Sequence, residues 1–205
     1  RILKPYIRRD YDSKPLRLRL LEEIINHHHQ KQQLLSLSSS SSSSSSLPTT
    51  TSSSSSSSPI DFCYVRPQHI PSINGYCNEF FWPGIDLSES LDYPDYSCVA
   101  LYKKLVIGFA FMVPDVSYDE AYISYIFTHP EWRKVGVAKF MLYHLLQQAC
   151  ADKDVTLHVS ASNPALILYQ MFGFKEEEFI MDFYDRYLPL ESKDCRNAFF
   201  LRLKR

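Results

Sequence analysis

The 205-residue chain carries 22 Lys and Arg against 23 Asp and Glu, and 45% of it is hydrophobic. This length allows one ordinary domain or two small ones. No run of about 18 apolar residues and no secretory leader pattern is present, so membrane spanning and secretion have no support in the sequence. The chain opens on Arg1 and not on Met, so it is expected to be a fragment whose targeting signals lie elsewhere.

Charge is unevenly placed. Residues 1–58 hold 8 Lys/Arg against 4 Asp/Glu, whereas residues 59–205 hold 14 against 19. An acidic domain argues against a direct nucleic-acid partner and suits a basic peptide. The first 35 residues open basic and place Leu16, Leu18, Leu20 and Leu21 ahead of Glu22-Glu23-Ile24-Ile25. This run fits a short strand or a short helix, weakly structured or packed on the folded domain. His27, His28 and His29 are adjacent and not staggered, so no metal site is expected there. Residues 36–58 contain 17 Ser and 3 Thr, too little apolar surface to offset ordering entropy, and are expected to form a disordered linker. The five cysteines show no metal spacing and no paired framework, which suits a reduced intracellular protein.

The folded domain is expected over residues 59–205. Residues 62–65 read as a first strand, and 70–82 as a helix with Ile70, Ile73, Cys77, Phe80 and Phe81 on one face, ended by Pro83-Gly84. Two β-rich runs, 96–102 and 105–113, flank Lys103-Lys104 and predict a hairpin. A strand over 121–127 and an amphipathic helix over 135–151 come next, then a strand over 155–159. Ser162-Asn163-Pro164 offers a helix cap ahead of a helix over 165–172, with Gly173 as its left-handed terminator. Strands over 179–184 and 198–203 close the chain. This order predicts an α/β (α+β) fold with a mixed central sheet of about six or seven strands and helices on both faces.

Chemistry concentrates in residues 123–138, ISYIFTHPEWRKVGVA. An apolar strand feeds a Pro-containing turn, and Arg133-Lys134-Val135-Gly136-Val137-Ala138 opens a helix. Free amides at a helix start attract a phosphorylated cofactor, Gly136 permits close approach, and Arg133 or Lys134 can add charge. Equally, the same residues suit a basic first turn in which Gly136 only eases packing.

The run resembles the Arg/Gln-x-x-Gly-x-Gly/Ala signature of the Gcn5-related N-acetyltransferase superfamily, and Ala165-x-x-Leu168-Tyr169 with Phe172-Gly173-Phe174 resembles its second cofactor-side helix. The resemblance implies that fold over residues 59–205 and acetyl-CoA as cofactor. It implies main-chain contacts to the pantetheine arm and acetyl carbonyl at Ile126, Phe127 and Thr128, and to the pyrophosphate at Val135, Gly136, Val137 and Ala138. Either Ser162 or Asn163 would meet the cofactor, since the family's usual Asn falls at Ser162. Tyr169 would protonate the departing thiolate.

Relatives that acetylate histones carry a strand glutamate as general base, and that position here is Tyr122. Glu120, two residues earlier on the same strand face, is the expected base, with His158 and His129 as alternatives. Phe80, Phe81 and Trp82 stand on the acceptor side, where core filling competes with groove lining. No cysteine has a relay beside it, so the acetyl group is expected to pass directly to the amine. The Ser tract, the His129-Pro130-Glu131-Trp132 turn and the C-terminal run resemble a family member belonging to the ATAC chromatin complex. That implies a nuclear lysine acetyltransferase acting on a histone tail or another basic peptide beside other subunits of a chromatin-modifying complex. An acetyl-CoA-binding interaction module with weak transfer, and a small-amine or N-terminal acetyltransferase, remain alternatives.

Overall fold

The structure, a computed structural model, describes residues 5–38, 58–149, 153–189 and 191–205. The chain order is β1 (Arg8–Asp10), α1 (Leu16–Ser38), β2 (Ile60–Cys63), α2 (Ile70–Phe80), β3 (Ser97–Tyr102), β4 (Leu105–Ser117), β5 (Glu120–Thr128), α3 (Val137–Gln148), β6 (Asp154–Ser160), α4 (Leu166–Met171), β7 (Lys175–Ile180) and β8 (Ala198–Leu203). The strands form one mixed sheet in the order β1-β2-β3-β4-β5-β6-β8-β7. All neighbours are antiparallel except β5 and β6, because α3 crosses over between them.

Alternating apolar residues give the sheet two buried faces. Ile60, Phe62, Ala110, Ala121, Ile123, Val155 and Leu157 meet α3 through Val137, Met141, Leu142 and Leu145 on one face. Phe109, Phe111 and Phe127 meet Ile70, Ile73 and Cys77 of α2 on the other. The expected hairpin is present: Tyr102 pairs with Leu105, and Lys103 and Lys104 take φ of 48° and 71° as a two-residue turn requires. Gly173 ends α4 with φ 93°. At Gly108 a side chain would sit 2.9 Å from the Phe127 carbonyl oxygen and 3.2 Å from Met141, so only a hydrogen lets β4 approach β5 and α3 this closely.

Three expectations are corrected. The sheet has eight strands among the described residues, the additional one being β1, whose Arg8, Arg9 and Asp10 pair with Phe62, Asp61 and Ile60. The strand expected over 179–184 lies at Lys175–Ile180, and 181–187 form turns; Glu176, Glu177 and Glu178 hide the strand from an apolar search because β7 is the exposed sheet edge. Helix α3 covers Val137–Gln148, shorter than 135–151 at its start because Gly136 is left-handed.

The N-terminal segment packs on the domain. Lys14 is buried and its ammonium donates to Glu22 at 2.9 Å, while the Tyr102 hydroxyl donates to the same carboxylate at 3.3 Å. The helical alternative for residues 16–25 holds, and α1 runs to Ser38, into the expected linker; residues 39–57 of that linker lie outside the described residues. His27, His28 and His29 are exposed on α1, and among the described residues no group of three His, Cys, Asp or Glu is placed to hold a metal. No described helix is long and apolar enough to cross a membrane. Cys63, Cys77 and Cys98 are buried free thiols, and burial pushes Cys63 and Cys77 up to about 11.

Candidate active site

β5 and β6 pair only at Glu120↔Asp154, Ala121↔Val155 and Tyr122↔Thr156. Beyond Tyr122 they part, and residues 123–128 have no strand partner on that side among the described residues. A bulge accompanies the parting: Met112 faces Ile123 but Phe111 faces Tyr125, leaving Ser124 as an extra residue. The opening is a cavity of about 530 Å³. Its wall includes Ile126, Ser162, Asn163 and Tyr169 of the expected site, together with Tyr122 and His158.

Beside the opening stands the start of α3. Gly136 has φ 94°, Lys134 has φ 64°, and among the described residues no side chain caps the first turn. The first intrahelical bond runs from Phe140 N–H to the Gly136 carbonyl at 3.0 Å, so the amides before Phe140 have no partner within the helix. A Cβ on Gly136 would meet nothing nearer than the Ser13 hydroxyl at 4.0 Å. These uncapped amides with open space at their glycine fit a pyrophosphate. Arg133 folds back, its Nε donating to the Thr128 carbonyl at 3.2 Å, which fixes the turn between strand and helix. The Thr128 hydroxyl is buried and unpartnered among the described residues, and Phe127 turns away onto Phe109 and Phe80. The Asn163 carboxamide oxygen accepts the Ala165 N–H at 2.9 Å, so the expected cap acts one residue ahead of α4.

Tyr169 is 7% exposed, and burial pushes its hydroxyl up to about 12. Tyr122 is likewise pushed up to about 12 by burial, and its hydroxyl lies 2.9 Å from His158 Nδ1. Burial lowers His158 from its ordinary value, and its ring lies flat on Phe183 with centroids 4.3 Å apart. Glu120 stands at the closed end of the opening and does not line it. One carboxylate oxygen accepts from Thr156 at 2.7 Å, and the other faces Arg202 at 3.2 Å, which also holds Asp154 and Glu177. His129 lies in the turn, its Nδ1 accepting the Glu131 N–H at 3.4 Å.

Sequence reasoning passed over Phe183, Tyr184, Tyr187 and Cys195, which line the cavity from the β7–β8 connection. The signal available was three aromatic residues within five positions, of which Phe183 and Tyr184 fall at the end of the strand expected over 179–184.

The sheet order, the parted parallel pair and the glycine-headed helix define an acyl-transfer fold, and comparison agrees. A family model described as the acetyltransferase (GNAT) family matches residues 61–174, and the chain belongs to that family. The cysteine-rich protein 2-binding protein of Homo sapiens is 60% identical over 205 residues, and that of Mus musculus 59%. Each match covers 100% of this chain and 24% of the relative, so the chain spans about a quarter of their length. Among solved structures, Arabidopsis thaliana Naa50 in complex with the bisubstrate analogue CoA-Ac-MVNAL aligns with TM-score 0.58 at 18% identity, covering 71% of this chain and 99% of that one.

Proposed function

We propose that this chain transfers the acetyl group of acetyl-CoA directly to a lysine amine of a protein, a histone tail foremost, within a nuclear multiprotein chromatin complex. The observation that carries the reading is the parting of β5 and β6 after Tyr122 beside the uncapped start of α3, which together suit a long, phosphorylated thioester. The resemblance of the Ser tract, the His129-Pro130-Glu131-Trp132 turn and the C-terminal run to a member of the ATAC chromatin complex supports the choice of protein substrate and the company of other subunits.

The cofactor supplies an activated acetyl thioester. Amides from Gly136 onward and the flanking Val135, Val137 and Ala138 hold its pyrophosphate, with Lys134 adding charge. Main-chain groups at Ile126, Phe127 and Thr128, where β5 has no β6 partner, would bind the pantetheine arm and acetyl carbonyl, with Ser162 and Asn163 bordering it. The Tyr169 hydroxyl, still protonated at neutral pH, donates to the thiolate that leaves.

For the proton acceptor we favour His158 over Glu120. Glu120 is engaged by Thr156 and Arg202, whereas Tyr122 and His158 face the cavity. In the tautomer with its proton on Nε2, His158 accepts the Tyr122 proton at Nδ1 as the Tyr122 oxygen takes one from the amine. Glu120 then positions β5 against β6 and β8.

The test is acetyl transfer from labelled acetyl-CoA to core histones and to a lysine peptide, beside calorimetric titration with acetyl-CoA. Transfer to ε-amines with acetyl-CoA binding below about 1 mM is expected. Absence of binding defeats the whole reading, and transfer confined to α-amines defeats the choice of lysine.

A further inference from the structure

The N-terminal arm, residues 8–22, lies outside the stretch matched by the family model, yet it reaches the turn and helix start of the cofactor side at three points. Ser13 stands over Gly136, its hydroxyl 4.0 Å from where a Cβ on that glycine would lie. The Arg8 guanidinium lies 4.9 Å from the ring centroid of Phe140, whose N–H makes the first bond of α3. The third point runs through β3. Tyr102 packs its ring on Trp132 with centroids 4.8 Å apart, and its hydroxyl donates to Glu22 of α1 at 3.3 Å. Buried Lys14 donates to both oxygens of that carboxylate, at 2.9 and 3.0 Å. Asp10, also buried, joins the points: it accepts the Asp12 and Ser13 amides at 2.9 and 3.0 Å and pairs with Arg8 at 3.2 Å.

The turn over 133–136 needs such support. Lys134 and Gly136 both have left-handed φ, which is costly for a lysine and persists only where neighbours fix it. Arg133 ties the turn to Thr128 from within, and the arm bears on it from outside.

We propose that Glu22, Lys14 and Tyr102 are positioning residues for the cofactor: the Lys14–Glu22 pair locks the arm in place, and Tyr102 passes that restraint to Trp132. The amides ahead of α3 are thereby set for a pyrophosphate before it arrives, which lowers the ordering cost of binding. The proposal rests on the acetyl-CoA reading of the α3 start. The Tyr122–His158 pair lies outside this chain of contacts, so loosening the arm weakens cofactor binding and spares the chemical step.

The chain has two tryptophans, Trp82 and Trp132, so Trp82→Phe leaves Trp132 as an indole reporter inside the turn. In that background Tyr102→Phe and Glu22→Gln are expected to move Trp132 emission to longer wavelength, and saturating acetyl-CoA to move it back. With Trp82 restored, calorimetry on the full chain is expected to show the acetyl-CoA Kd raised about threefold by Tyr102→Phe and about tenfold by Glu22→Gln. The acetyl-CoA KM rises alike, while kcat and the peptide KM stay within about twofold of the parent. Glu22→Gln strands a buried ammonium; where it does not fold, Tyr102→Phe, which removes only a hydroxyl, decides. Gly108→Ala, which lowers Tm away from the arm, is expected to keep the parent Kd. An unchanged Kd in Tyr102→Phe, or an equal weakening in Gly108→Ala, overturns the positioning role. A Trp132 shift in Tyr102→Phe beside a parent that binds no acetyl-CoA upholds the arm's grip on the turn and overturns the cofactor reading alone.

Discussion

The Tyr122 hydroxyl and His158 Nδ1 lie 2.9 Å apart at the point where β5 and β6 cease to pair. Because burial lowers His158 from its ordinary value near 6.5, its neutral, proton-accepting form persists into mildly acid solution. The rate of transfer should therefore hold as pH falls toward 6.5 and decline only below it. His158→Gln should cut kcat about 100-fold and abolish this acid limb. A pH–rate profile of parent and variant checks both.

Glu120→Gln should leave the acid limb in place and change kcat less than about threefold, since its carboxylate is held by Thr156 and Arg202. The same variant should lose stability by about 0.5–1 kcal/mol in urea denaturation, a modest value because these groups are partly exposed. A 100-fold fall in kcat with an altered acid limb would restore Glu120 as the base.

Tyr169→Phe removes a buried hydroxyl from the wall of the cavity, the proposed proton donor to the leaving thiolate. We expect kcat to fall about 100-fold with the acceptor KM little changed. Acceptors should be affected alike, because the proton goes to the common leaving group; steady-state kinetics on two peptides tests this.

Gly136→Ala forces a side chain onto a backbone with φ 94°, at about 1–2 kcal/mol. Calorimetry should show weaker acetyl-CoA binding together with a lower Tm. Gly108→Ala should lower Tm without that selective loss, costing about 1–3 kcal/mol because its methyl would meet the Phe127 carbonyl at 2.9 Å.

Much of this architecture was legible in the residues. Ile70, Ile73 and Cys77 announced the buried face of α2, Lys103-Lys104 the hairpin, and Gly173 the left-handed end of α4. Elements whose stability comes from neighbours were less legible. β1 is three residues long and exists because β2 offers an open edge, and β7 is spelled by charges because it faces water. At the site, sequence distance hid the pairing of Tyr122 with His158 and the capture of Glu120 by Arg202. Both require knowing which strands are neighbours, which local pattern does not encode.

The extra residue at Ser124 shifts the phase of β5. Upstream, Ala121 and Ile123 turn toward α3; downstream, Ile126 does so, while Tyr125 and Phe127 join the α2 side. One strand can thus place Tyr122 and Tyr125 on the same face three positions apart. Strict alternation through Ser124, without the bulge, would turn Tyr125 and Phe127 toward α3 and Ile126 toward α2, with composition unchanged. The reach of this site therefore depends on a counting device in the backbone as much as on the side chains it presents.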